Sequence, residues 1–399
     1  MQRVVVLGGG VGGTLAANLI ARKLKREISR GAAKVSVVDA TGVHSYQPGY
    51  MYIAMGHERE EKLERAEKRL LDTNVDLVVD EVTRIDTAAQ AVELASGERL
   101  RYDQLVVATG SRILPEAIPH FAEEAHHFYS AEAARRLRAA LDAFDGGRIV
   151  VAIAGIPYKC PPAPLEVAFL VEAELRQRGL REKTRMTFLS PINRAFTIES
   201  VSDMATPILE EKGIELQVLA GVDSIDPERK VVITDAFEEY PYDLLICVPP
   251  HKGAQVVIDS GLAPKSGWIP TDRATLQVKT DPNPAPGTKD EDIARYPNVY
   301  ALGDATDLPL SKAGSTAHFE APIVAERVAA AVKGEPPAAK HASYTGRVMC
   351  FFEVGDGKGT LLRFDYDHPP KPPKPNQLWH LGKIVFNKTY WHTVPKGRV

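Results

Sequence analysis

The chain has 399 residues, 44% hydrophobic and 25% charged, with a formal net charge of −3; it is long enough for two or three cores, and its composition is that of soluble globular domains. The mild acidity argues against a nucleic-acid partner. Cys160, Cys247 and Cys350 are too scattered for a disulfide-stapled secreted scaffold, and neither they nor the eleven histidines show metal-ligand spacing, so no metal is expected.

Met1-Gln-Arg leads straight into an apolar strand, Val4 to Leu7, without the charged region and cleavage site of a signal peptide. A glycine turn, a helix from Thr14 to about Arg30 and a strand from Val35 to Val38 ending at Asp39 form a parallel strand-helix-strand unit. The charged stretch Glu58 to Leu71 reads as helix, followed by short strands near Leu77 to Val79 and Glu98 to Tyr102. Leu105 to Gly110 is a buried strand running into a tight turn. A second unit starts at Arg148, with a strand from Ile149 to Ala154, a helix from Leu165 to Arg178, and strands near Met186 to Leu189, Glu215 to Leu219 and Leu244 to Val248. Pro249-Pro250 and Pro282 to Gly287 mark loops, Val299 to Asp304 is a strand ending in Gly-Asp, and a helix runs from about Ser315 to Val332. Pro369 to Pro375 is a stiff linker, and no apolar run reaches the length of a bilayer span.

Gly8-x-Gly10-x-x-Gly13 lies between a strand and a helix, where glycines let backbone amides approach a pyrophosphate at a helix start. Asp39 is placed to bind a ribose hydroxyl and disfavours a 2′-phosphate; it lies farther along than the usual ~20 residues because the first helix is long. Thr109-Gly110 and Gly303-Asp304, each at a strand end, match the paired motifs of flavoproteins with two dinucleotide domains, where the late Asp binds the ribityl chain. The order of these motifs points to FAD. The fold class is therefore α/β, with two interleaved Rossmann-like dinucleotide-binding domains and a carboxy-terminal acceptor and membrane-docking segment. Residues 1–110 and 298–335 form the FAD domain, 111–297 the second Rossmann-like domain, and 336–399 the terminal segment.

Where a second nucleotide loop is expected, the sequence reads Gly155-Ile-Pro-Tyr-Lys-Cys160-Pro-Pro-Ala-Pro-Leu-Glu166. The prolines remove amide donors and stiffen the turn, and a cysteine stands where NADH phosphates would lie. A nearby helix start and Lys159 are expected to lower the pKa of Cys160, and Glu166 is placed either to assist proton removal or simply to favour the helix dipole. Cys247, inside an apolar strand, reads as inert packing.

Tyr46-Gln-Pro48, Cys160 with Glu166, Pro249-Pro250-His-Lys-Gly253, Gly303-Asp304, Lys312, Cys350-Phe351, Lys383 and Phe386 together resemble the sulfide:quinone oxidoreductase family, related to type II NADH dehydrogenases and flavocytochrome c sulfide dehydrogenase. The resemblance covers nearly the whole chain. It implies FAD-dependent oxidation of sulfide to polysulfide or sulfur through Cys160 and Cys350, with electrons passed to a membrane quinone. It further implies that Pro48 and Lys312 belong to the flavin site, with Lys312 at the reduced ring's negative edge, and that Phe351, Phe386 and Lys383 bind quinone, the two phenylalanines as a sandwich. No cysteine stands near Tyr129-Ser130-Ala131-Glu132, where some relatives link FAD covalently, so FAD is expected to be noncovalent. The loop Pro191 to Glu199 lacks the histidine frequent in the family, and Asn387 replaces a common glutamate.

From Lys358 to Val399, eight Lys or Arg against Asp365 and Asp367 give a net of +6, and Trp379 and Trp391 lie among them. That suits an anionic membrane surface, or equally a cationic extension packed on the body. The expectation is a peripheral membrane protein, with the cytoplasmic face favoured and homo-oligomerisation left open. The rivals are an NAD(P)H:acceptor oxidoreductase, a flavocytochrome-type sulfide dehydrogenase and a noncatalytic sulfur-carrying flavoprotein.

Overall fold

The computed structural model describes residues 1–398. Strand β1 (Gln2–Leu7), helix α1 (Val11–Lys23) and strand β2 (Ala33–Asp39) form the expected unit, with Val4 opposite Val35 and Leu7 opposite Val38. β3 (Val75–Val79) pairs beyond β2, and β4 (Gln104–Val107) pairs on the other side of β1. Val4, Val6, Leu7, Val35, Val37, Leu105 and Val106 are all buried. A parallel strand covered on both faces must be apolar on both, hence the unbroken runs in the sequence.

The chain then crosses to a second parallel sheet. Its elements are β5 (Ala125–His126), α2 (Ala131–Ala143), β6 (Gly147–Ile153), α3 (Ala163–Gln177), β7 (Thr184–Leu189), α4 (Glu199–Glu211), β8 (Ile214–Gln217) and β9 (Leu244–Val248). Their spatial order is β5-β9-β6-β7-β8. The chain returns with β10 (Gln277–Lys279) and β11 (Arg295–Ala301), which complete the first sheet in the order β10-β11-β4-β1-β2-β3. α5 (Gly314–Lys333) then lies along α1, where Ala16, Ala17 and Ala21 share a core with Ala317, Ala321 and Ala325. Side chains this small let the two helices pack closely beneath the glycine turn. A hairpin of β12 (Val348–Gly355) and β13 (Lys358–Phe364) and the helix α6 (Gln377–Thr389) finish the chain.

Three expectations are corrected. The first helix ends at Lys23 and a short separate helix covers Lys25–Ser29. Glu58 to Leu71 is no helix: strand Glu64–Ala66 pairs with Val43–Ser45, flanked by single 3-10 turns at Glu60–Lys62 and Glu67–Arg69. Tertiary contacts override the local pattern there, because Glu67 is drawn inward to hydrogen-bond Thr14 and His44. The second arm of the first domain also begins before residue 298, since β10 pairs with β11 in the first sheet.

Candidate active site

At the end of β1 the backbone turns at Gly8 with φ +102°, and a Cβ there would lie 2.4 Å from the Ala108 carbonyl oxygen. A Cβ on Gly13 would lie 1.9 Å from the Gly8 oxygen, so α1 can start this close to the turn only with glycine. A Cβ on Gly10 would meet nothing within 4 Å, so that face of its backbone is open to a ligand. Asp39 accepts hydrogen bonds from the amides of Gly9 at 2.8 Å and Gly42 at 2.8 Å, and from Thr41. Burial alone would raise its carboxyl, but these donors hold it below the usual carboxylate range, and so ionised. Thr109 Oγ1 is buried without a hydrogen-bond partner among the described residues. Beside it Gly110 turns at φ +64°, and Gly303 at φ +71° leads into Asp304, whose carboxyl burial raises and Lys159 and Lys312 pull back. Pro48 lies in the turn Gln47–Gly49, where Gln47 accepts from Lys159 Nζ at 3.2 Å. An open glycine turn, an ionised ribose acceptor and an orphaned hydroxyl fit FAD.

Both terminal-domain and central-domain cysteines rest on one short segment. The Cys160 amide donates to the Lys312 carbonyl at 2.7 Å, and Cys350 Sγ lies 3.3 Å from Ser315 Oγ. Lys312 Nζ donates to the Thr306 carbonyl at 2.6 Å and sits 4.0 Å over the Trp268 ring. Both cysteines are free thiols. Burial pushes the Cys160 thiol well up, with Glu166 and Cys350 adding to the rise. The expected lowering by Lys159 is therefore corrected, because that side chain turns to Gln47 and its charge acts on Asp304. Burial also pushes Cys350 up, to about 11, while the Ser315 hydrogen bond pulls against it. Cys247 is fully buried in β9, as an inert packing residue should be. Ser130 caps α2 by accepting from the Ala133 amide, and Tyr129 donates to the Lys159 carbonyl at 3.0 Å, so the place of the missing third cysteine is structurally used.

Glu166 and Lys383, expected at opposite ends of the reaction, meet directly. Glu166 Oε1 accepts from Lys383 Nζ at 2.6 Å and from the Glu353 amide at 2.7 Å. Lys383 Nζ is also 3.2 Å from Glu353 Oε2, and Glu353 holds Tyr52 OH at 2.8 Å and His380 Nδ1 at 2.7 Å. Burial raises the Glu166 carboxyl and Lys383 opposes it, while the two carboxylates keep Lys383 charged against its own burial. Phe351 and Phe386 pack on each other, centroids 6.2 Å apart and tilted by 46°, which corrects the expected sandwich: no third ring fits between them. Gly382 lets α6 lie on Phe351, since a Cβ there would come within 3.0 Å of that ring.

The end of the chain is part of the body. Tyr390 and Val394 are buried, Tyr390 OH bonds His44 Nε2 at 2.8 Å, and Tyr46 OH donates to Asn387 at 2.6 Å. Outward, α6 exposes Leu378, Leu381 and Val385. Sequence reasoning missed Ser315, Tyr52, Glu353, His44 and Glu67. Only Glu353 left a signal, an acid within an apolar strand that burial obliges to find a partner; the others come from elements that no spacing rule connects.

Two parallel sheets with a glycine turn at the end of the first strand define an oxidoreductase fold with two dinucleotide-type domains. The chain belongs to the pyridine nucleotide-disulphide oxidoreductase family, whose model matches residues 2–346. It is 26% identical to the mitochondrial sulfide:quinone oxidoreductase of Mus musculus over 92% of this chain and 79% of that protein. It is 24% identical to the sulfide-quinone reductase of Aquifex aeolicus over 100% of this chain and 92% of that one. The crystal structure of the sulfide:quinone oxidoreductase from Aquifex aeolicus superposes with a TM-score of 0.80, at 21% identity, covering 100% of this chain and 92% of that chain. Family and relatives imply FAD as the cofactor. Among the described residues, no group of side chains could hold a metal ion and no helix is long and apolar enough to cross a membrane.

Proposed function

We propose that this enzyme oxidises sulfide through Cys160 and Cys350 and passes the electrons to a membrane quinone, with FAD held noncovalently. The observation that carries this reading is the anchoring of both thiols, far apart in sequence, on residues 312–315, in the segment that follows Gly303-Asp304 and leads into α5. FAD, when bound, accepts two electrons from the sulfur side and hands them to the acceptor. Each hydrosulfide oxidised to sulfane sulfur gives up two electrons and one proton, and quinone takes up two of each. Lys383 already holds a proton between Glu166 and Glu353, and His380 connects that group to a partly exposed position. We assign this cluster to proton supply at the quinone end, with Phe351 and Phe386 as one apolar wall rather than two. The stiff turn leaves Cys160 only partly exposed, which favours a small nucleophile such as hydrosulfide.

The exposed Leu378, Leu381 and Val385 recur on one side of α6, in a segment of net positive charge. An apolar stripe with cationic surroundings suits docking on an anionic bilayer surface. Anaerobic titration of the purified protein tests the whole reading: sulfide should bleach the flavin and decylubiquinone should restore its colour. Bleaching by NADH instead of sulfide would replace it with the NAD(P)H:acceptor reading. Acid or heat should release the flavin from the precipitated chain, and retained flavin would refute the noncovalent assignment.

A further inference from the structure

Ser315 is the second residue of the 20-residue helix α5, and its Oγ lies 3.3 Å from Cys350 Sγ. The other charged groups around the pair do not distinguish the two sulfurs: Glu166 from α3 and Lys383 from α6 act on both, and are themselves paired at 2.6 Å. The Cys160 turn is fixed through its backbone, its amide on Lys312 and its carbonyl accepting from Ala163 at 2.8 Å. Each thiol has a helix start beside it, and the Ala163 amide at the start of α3 also pulls Cys160 down, so what Cys350 alone receives is a side-chain hydroxyl. Hydroxyl donors stabilise thiolates.

We infer that Ser315 is a positioning residue that decides which sulfur of the oxidised pair leaves, by stabilising the Cys350 thiolate and so directing hydrosulfide to Cys160. The inference rests on the thiol-pair reading above. In the step, HS⁻ forms a bond to Cys160 Sγ while the Cys160–Cys350 S–S bond breaks, and its electron pair goes to Cys350 Sγ. The products are a Cys160 persulfide and a Cys350 thiolate that accepts the Ser315 hydrogen bond, so no outside oxidant or reductant is needed. In thiol exchange the sulfur with the lower pKa is the faster leaving group, and Ser315 gives that property to Cys350.

Two measurements test this on the FAD-loaded protein. In the reduced protein, the pH dependence of iodoacetamide alkylation is followed separately at Cys160 and Cys350 by peptide mass mapping. Ser315→Ala should slow Cys350 alkylation at neutral pH by about tenfold, the consequence of a one-unit pKa rise, leave Cys160 unchanged, and be rescued by Ser315→Thr. In the oxidised protein given one equivalent of sulfide anaerobically, the added sulfur should map to Cys160 in the wild type and Ser315→Thr, and spread to Cys350 in Ser315→Ala. An unchanged Cys350 profile, an equal change at both cysteines, or wild-type sulfur on Cys350 would each overturn the inference. Absence of sulfur transfer in every variant would instead sink the sulfide reading, and the alkylation profiles would still decide whether Ser315 sets the thiolate.

Discussion

Lys383 on α6 is joined to Glu166 on α3 by a buried 2.6 Å ion pair, so the carboxy-terminal helix is locked to the element that follows Cys160. Its second carboxylate, Glu353 at 3.2 Å, extends the pair toward His380 and Tyr52. A charge buried this way is tolerated only while its partners remain.

Lys383→Met should therefore cost about 3–5 kcal/mol, because two buried acids lose their common cation. Urea unfolding of the holoenzyme would measure this. Reoxidation of the sulfide-reduced flavin by decylubiquinone should slow as well, whereas sulfide-driven bleaching should persist. An unchanged unfolding midpoint would show that the cluster relaxes around the loss.

Cys160→Ser and Cys350→Ser should each lower sulfide-dependent quinone reduction by roughly a thousandfold or more, since groups acting as one unit fail together. FAD content should remain, as neither change touches Gly8, Thr109 or Asp304. Cys247→Ser, deep in β9, should keep near-wild-type turnover. Steady-state assays with flavin absorbance would separate these cases, and an active Cys160→Ser would end the thiol-pair mechanism.

Glu320 of α5 is fully buried; burial pushes its carboxyl from 4.5 up to about 8, while one oxygen accepts from the Gly303 amide. The folded chain then holds a proton that the unfolded chain releases above about 4.5, so stability declines as pH rises from about 4.5 and the carboxyl's contribution is lost by about 8. Glu320→Gln keeps an acceptor for Gly303 and removes the charge. Its melting temperature should match the wild type in mild acid and exceed it in alkali. Parallel pH profiles of the two proteins would refute the assignment.

Removing everything after Pro375 is not a clean test of membrane docking, because Tyr390 and Val394 are core residues and His44 would lose a buried partner. The triple change Leu378→Ser, Leu381→Ser and Val385→Ser alters only the exposed stripe. It should weaken binding to anionic liposomes in a flotation assay, leave sulfide-driven bleaching intact and lower quinone reduction in membranes. For the wild type, binding should fall as salt rises, since the Debye length shortens from about 10 Å at 0.1 M to about 3 Å at 1 M. Liposome binding unaffected by the substitutions would assign the stripe another role.

Much of this molecule is legible locally. Buried parallel strands need unbroken apolar runs, and a nucleotide turn needs glycine where a Cβ would strike backbone, so β1, β4, β6, β9 and β11 and Gly8 and Gly13 stand out in the sequence itself. The proline-rich turn at Cys160 likewise stands out, because prolines carry no amide donors for a phosphate. Tertiary structure alone decided what the polar residues do. Glu166 and Lys383 become one ion pair, Phe351 and Phe386 close on each other, Glu67 pulls its segment out of helix, and Ser315 reaches Cys350. Each depends on a contact between elements distant in the chain, whose energy exceeds local propensity but leaves no periodic trace. Lys159 illustrates the limit: adjacency suggested that it would activate Cys160, while the folded backbone turned its charge to Gln47 and Asp304.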